Sequence, residues 1–164
     1  MEESANTLKI RQSRFLSSGV VSPEDDTTIW WVPLGIDLGP NTPDDLKNVV
    51  LTQKEMTLRL PENNEFYQLN VRKTGVFRVN YTPERLSKLG KAAKQGLLET
   101  SDRIGIIADA GALASSGYGK TSGLLSLIKE FDNEEQYMWV NNIYGILLSI
   151  FYIILFIIII IIFS

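Results

Sequence analysis

In Gly75-Val76-Phe77-Arg78-Val79-Asn80-Tyr81-Thr82-Pro83-Glu84-Arg85-Leu86 the apolar spacing changes within a few residues. Phe77, Val79 and Tyr81 alternate with Arg78 and Asn80, the period of a half-buried strand. From Thr82 onward Leu86, Leu89, Ala93 and Leu97 fall on one helical face, with Lys88, Lys91 and Lys94 turned to water. Thr82 before Pro83 supplies an N-cap and a first helical position whose φ is already fixed. A β-rich region is therefore expected to end at residue 81 and a helical one to begin at residue 82.

Upstream, the period of two recurs. Leu8 and Ile10 alternate with Lys9 and Arg11; Trp30, Val32, Leu34 and Ile36 form a second run. Met56, Leu58 and Leu60 oppose Thr57 and Arg59, and Tyr67, Leu69 and Val71 make a weaker run. Turn-rich segments at 17–26, 39–47 and 61–64 separate them. Short alternating runs between turns predict an antiparallel β-sandwich over residues 1–81. Pro33 suits an edge, because it cannot donate to a ladder. Leu8, Val32, Leu58, Phe77 and Val79 are its expected core, joined by Trp30, Trp31 and Tyr81.

Downstream, Gly96 is a stop signal, Ser101 a cap for a second helix reaching Gly117, and Thr121 or Ser122 a cap for a third. Leu124, Leu127, Ile128 and Phe131 then stand at i, i+3, i+4 and i+7. Residues 82–138 are expected to begin a helical domain too short to close its own core, leaving this stripe with few partners. Residues 143–164 carry no charge, and Tyr144, Gly145, Ser149 and Tyr152 are the interruptions. About 20 apolar residues cross a bilayer, so this run is a C-terminal transmembrane candidate. Two features weigh against a designed anchor. The consecutive isoleucines at 157–162 specify a helix poorly, and Glu130, Asp132, Glu134 and Glu135 outnumber Lys129 in the flank, where Lys and Arg are usual. Ile, Phe, Tyr, Asn and Leu are also the residues of AT-rich codons, so a translated intron or gene-model error competes with the anchor.

Composition removes whole classes of chemistry. The 164 residues contain 16 Lys and Arg, 19 Asp and Glu, no His and no Cys. Catalytic zinc is normally held by imidazoles and structural zinc by thiolates, and a Ser-His-Asp triad needs a histidine. A net charge of −3 without a basic block gives no nucleic-acid partner. Ala114-Ser115-Ser116-Gly117-Tyr118-Gly119-Lys120-Thr121 resembles a loosened phosphate loop, in which Lys120 would reach phosphates and Thr121 would bind magnesium. Against it, no strand ending in an acid follows Thr121, and Ile104, Ile107, Gly111 and Ala114 have helical spacing. Glu24-Asp25-Asp26 and Asp44-Asp45 lack the spacing of a calcium loop and read as solvated tips.

The ordered motifs carry a family resemblance. Gln12-Ser13-Arg14-Phe15-Leu16 followed by Trp30-Trp31-Val32-Pro33-Leu34 resembles the opening of the β-sandwich domain of puromycin-sensitive zinc aminopeptidases. Gly75-Val76-Phe77-Arg78-Val79-Asn80-Tyr81 resembles the strand that closes it. Asp102-Arg103, Ala108-Asp109-Ala110 and Leu113-Ala114-Ser115-Ser116-Gly117 resemble the first helices of the same enzymes' C-terminal helical domain. The likeness runs through residues 5–138. In that family a His-Glu-x-x-His helix, a distant Glu and a Gly-x-Met-Glu-Asn loop perform the catalysis, all in an earlier segment. None maps onto this sequence.

The resemblance thus implies a non-catalytic fragment with no catalytic, cofactor or metal ligands of its own, zinc belonging to the parent enzyme. Residues 1–81 would be a bridging sandwich, and 82–138 the start of a helical, HEAT- or armadillo-like domain that walls a peptide chamber. The implied partners are the catalytic domain, the remaining helices and, in the parent, peptide substrates; the implied location is the cytoplasm. The alternative is a tail-anchored membrane protein displaying the sandwich as a binding module, and a nucleotide-binding protein is the third reading.

Overall fold

The computed structural model describes residues 1–4, 6–61 and 66–131, together with Gly145, Leu148, Tyr152 and Leu155. Residues 62–64 of the turn expected at 61–64 and most of the apolar run at 143–164 lie outside the described residues, as do residues 132–138. Among the described residues no helix is long and apolar enough to cross a membrane.

The alternating runs at both ends of the β-rich region pair as expected. Strand β1 (Glu2–Ser4) lies antiparallel to β2 (Thr7–Arg11), which pairs in turn with a later strand at Glu55–Arg59. Leu8 sits opposite Leu58 and Ile10 opposite Met56, so the apolar residues of the two strands share a face. A separate two-stranded sheet joins β3 (Val32–Pro33) to β4 (Val50–Leu51), with a short helix α1 (Asp44–Lys47) between them. The strand at Glu55–Arg59 is therefore β5.

Among the described residues, a three-stranded and a two-stranded sheet stand where a sandwich was expected. The run at 67–71 forms one bridge, Gln68 to Asp37, and then turns through the short 3-10 segment Val71–Lys73. The run at 77–81 joins no ladder, because side chains take its backbone groups: Asn70 Nδ2 donates to Phe77 O, and Val79 N donates to Asp109 Oδ2. Leu8, Val79 and Tyr81 are buried as expected, while Val32, Leu58 and Phe77 are half-buried. The placement of Trp30 and Trp31 in the core is corrected: they are 40% and 69% exposed. Trp30 is bonded through its backbone to Gln12 instead of a neighbouring strand.

Helix α2 (Pro83–Lys94) begins where its sequence dictates. Thr82 Oγ1 accepts from Arg85 N at 3.2 Å and Pro83 opens the first turn. It ends before Gly96, whose φ of +76° suits a residue without Cβ. Leu97 lies beyond that stop and is half-exposed, which removes it from the predicted stripe. Helix α3 (Thr100–Ser115) starts one residue before Ser101, with Glu99 at the N-cap. Helix α4 (Thr121–Lys129) has Lys120 at its N-cap in place of Thr121 or Ser122.

The stripe on α4 is not short of partners. Leu124 and Leu127 have no exposed surface, because α4 packs against both α2 and α3. Gly123 permits the approach: a Cβ there would lie 3.1 Å from Leu86 Cδ1 and 3.2 Å from Pro83 Cα. Burying each leucine contributes about 1.5–3 kcal/mol. A single apolar cluster runs from Leu8 and Ile10 through Tyr67 and Tyr81 to Leu86, Ile106 and Leu124.

Candidate functional site

The phosphate-loop-like stretch folds as a helix–turn–helix joint. Ile104 and Ile107 belong to α3, so no strand precedes the loop. Gly119 N donates to Leu113 O at 2.8 Å and Gly117 N to Ala114 O at 3.3 Å, so these amides close the end of α3 and do not face an open cradle. Tyr118 is tied away as well. Its hydroxyl donates to Arg14 O and accepts from Val21 N, both at 2.8 Å. The nucleotide-binding reading loses its geometry here. Beside the joint, Val79, Tyr81, Leu86, Gly119 and Lys120 line a depression of about 260 Å³ with open solvent included.

The acidic tips divide. Asp26 is buried, its carboxylate receiving Lys54 Nζ at 2.9 Å, Arg14 N at 2.8 Å and the more distant Arg11 at 3.6 Å. Burial would raise its pKa, but the Arg14 amide, Lys54 and the Ser13 hydroxyl prevail and hold it below the ordinary carboxylate value. It is an internal anchor, contrary to the reading of a solvated tip. Asp44 pairs with Lys47 at 2.8 Å in open solvent. Among the described residues no group of three or more His, Cys, Asp or Glu is placed to hold a metal ion.

Two other polar clusters join the β-rich region to the helices. In the first, Arg85 of α2 is 2% exposed, stands 3.9 Å from the centroid of the Tyr67 ring and pairs with Glu3 of β1. Tyr67 Oη donates to Glu3 Oε2 at 3.2 Å, and Arg85 Nε to the same oxygen at 3.2 Å. Partial burial would raise Glu3, yet Arg85 and Tyr67 together hold its pKa below the usual range. Desolvation pushes the Tyr67 phenol upward.

In the second cluster, Asp102 and Asp109 project from α3, seven residues apart and hence on one helix face. Asp102 Oδ1 accepts from Arg72 N at 2.6 Å; Asp109 Oδ2 accepts from Lys73 Nζ at 2.5 Å and Val79 N at 3.2 Å. Burial raises the pKa of Asp102, the Arg72 amide opposing it only in part. In the sequence both acids stand out by the family likeness alone. Their i, i+7 spacing was a signal that they shared a face, whereas nothing pointed to Lys73 as the partner.

These helices and the segment leading into them are the matched part of a known domain. The profile of the ERAP1-like C-terminal domain matches residues 66–155, more than half of the sequence. The chain belongs to that family. This ERAP1-like segment is 40% identical over 144 residues to aminopeptidase 2 of Candida albicans, covering 87% of the chain and 15% of the relative. To the alanine/arginine aminopeptidase of Saccharomyces cerevisiae it is 39% identical over 138 residues, 84% of the chain and 15% of the relative. The puromycin-sensitive aminopeptidase of Caenorhabditis elegans is 28% identical over 134 residues, 80% and 14% respectively. The resemblance carried by residues 12–16, 30–34, 75–81 and 102–117 is thus that of an ERAP-like metallo-aminopeptidase segment.

The segment spans about 15% of the length of the relatives it matches. It corresponds to part of a larger enzyme. The family match also continues past residue 143, so the likeness does not stop near residue 140. Zinc, which the family implies for the full-length enzyme, does not fit the donors here. The chain has no imidazole or thiolate, and the buried acids of the two clusters are each committed to a cation or an amide.

Proposed function

We propose that this chain serves as a non-catalytic segment of a larger zinc aminopeptidase that removes N-terminal residues from peptides. In this reading residues 1–81 are a bridging spacer and 82–138 open the helical domain that walls the peptide chamber. The observation that carries it is one of coverage: the aminopeptidases align with 80–87% of this chain but with only 14–15% of their own length. The donor set agrees, since a sequence without His cannot supply the imidazole ligands of such a hydrolase. Its partners are the catalytic domain and the remaining helices, and the parent works in the cytoplasm. Ile29, Trp30 and Trp31, all substantially exposed, offer those partners apolar surface.

A chimera tests the role directly. The matched segment of the Candida albicans aminopeptidase 2 is replaced by residues 5–138, and turnover of aminoacyl-naphthylamides is followed with the isolated chain in parallel. The chimera is expected to be active and the isolated chain inactive. A folded but inactive chimera, or chelator-sensitive turnover by the isolated chain, refutes the proposal.

A further inference from the structure

We infer that Lys73 is a key that locks α3 against the β-rich region, and that Gly105 is the notch through which it passes. The turn that carries Lys73 is unfavourable by itself. Asn70, Arg72 and Lys73 have φ of 57°, 56° and 53°. Asparagine tolerates the left-handed region, but arginine and lysine enter it against the clash of Cβ with the backbone. Such a turn persists only where its surroundings over-determine it.

The surroundings do so from two sides. Asn70 braces the turn internally: its Oδ1 accepts from Gly75 N at 2.8 Å, and its Nδ2 donates to Gly75 O and Phe77 O, both at 3.0 Å. Helix α3 braces it externally. Asp102 receives Arg72 N at 2.6 Å, and about two turns further on Asp109 receives Lys73 Nζ at 2.5 Å. Between these acids, on the same face, stands Gly105. A Cβ there would lie 1.9 Å from Lys73 Cε, 2.6 Å from Cγ and 2.7 Å from Cδ. Contact with Cγ means that the stem of Lys73, and not merely its mobile tip, occupies the place of a side chain. Asp109 also takes Val79 N, so one carboxylate fixes the turn, the 77–81 segment and α3 together.

The consequence is mechanical. Release of Lys73 removes the brace from a turn that cannot hold its conformation unaided, and the Asp102 bond to Arg72 is released with it. The strands and the helices therefore open as one cooperative unit while the key is seated, and as two when it is not. This inference does not depend on the aminopeptidase proposal, because its readout is internal to the chain.

The test is a double-substitution cycle in the full chain, read by amide hydrogen exchange. In the unsubstituted protein, residues 7–11 and 55–59 are expected to open together with 100–115. Lys73→Ala should speed exchange across 70–79 at least tenfold and separate strands from helix by at least tenfold. Gly105→Ala should do the same by colliding with the lysine stem. In the Lys73→Ala background Gly105→Ala should instead slow exchange in α3, since alanine is the better helix former when nothing obstructs it. Lys73→Gly provides a background that accepts the positive φ without strain and so keeps the turn if Lys73→Ala fails to fold; there too Gly105→Ala should be benign. An effect of Gly105→Ala of the same sign and size with and without the lysine stem overturns the inference, as does unchanged exchange in Lys73→Ala.

Discussion

Gln12 takes both backbone hydrogen-bonding groups of Trp30: Trp30 N donates to its Oε1 at 2.7 Å, and its Nε2 donates to Trp30 O at 3.0 Å. The same Nε2 also reaches Gln53 O at 2.9 Å, so one amide side chain substitutes for a strand partner at the junction of three segments. Gln12 is itself buried. Gln12→Ala should leave these groups without partners and destabilise the chain by about 1–3 kcal/mol. Urea unfolding checks this, and a loss below about 0.5 kcal/mol would show that water replaces the amide freely.

Leu124 has no exposed surface where α4 meets α2 and α3. Leu124→Ala should therefore cost about 2–5 kcal/mol through lost transfer and the remaining cavity. Leu125, the next residue of α4 and half-exposed, is the control, and its alanine variant should fall within about 0.5 kcal/mol of the parent. Equal effects at the two positions would contradict the packing of α4.

Glu3→Gln removes the carboxylate that pairs with the buried Arg85 guanidinium beside the Tyr67 ring. Arg85 is buried while Glu3 lies at the surface, so a loss of about 1–3 kcal/mol is expected. Arg85→Met, which removes the buried cation, should be milder than Glu3→Gln. Thermal or denaturant unfolding of the two variants orders them, and the reverse order would show that the pair is not what keeps Arg85 inside.

The carboxylates give opposing pH dependences. Glu3 and Asp26 have folded pKa values below their unfolded ones, so their stabilisation is present above about pH 4.5 and is lost as acid protonates the folded form. Asp102 has the opposite sign. Its folded pKa is raised above 3.8, so the folded state holds the proton more tightly and its contribution declines as pH rises through that raised value. Asp102→Asn keeps an oxygen for Arg72 N and removes the titration. Its stability relative to the parent should improve from pH 4 toward pH 7; a flat or opposite trend in denaturation midpoints rules out this role.

The elements readable from sequence are those whose causes are local. Thr82 and Pro83 specify the start of α2 by themselves, and the alternation at 7–11 and 55–59 suffices for two strands to pair. The misread runs are governed from a distance. Phe77 and Val79 alternate as a strand does, but their partners are Asn70 and Asp109, side chains that no periodicity reveals. Trp30 is large and apolar, yet Gln12 holds its backbone where the indole stays largely exposed. A left-handed Lys73 has no sequence signature, since that conformation is imposed by α3. The absence of histidine was legible at once because it is a property of composition and needs no fold.

The hydroxyl of Tyr118 bonds to Arg14 O across 104 residues of sequence and to Val21 N across 97. On a ribosome adding about 5–20 residues per second, the loop following β2 waits roughly 5–20 s for this partner to be synthesised. During that interval the loop is held by contacts nearer in sequence, Arg14 N to Asp26 Oδ1 and Trp30 N to Gln12 Oε1. A polypeptide halted before Tyr118 would lack this last fastening, so the closure of that loop is completed only once α3 has been made.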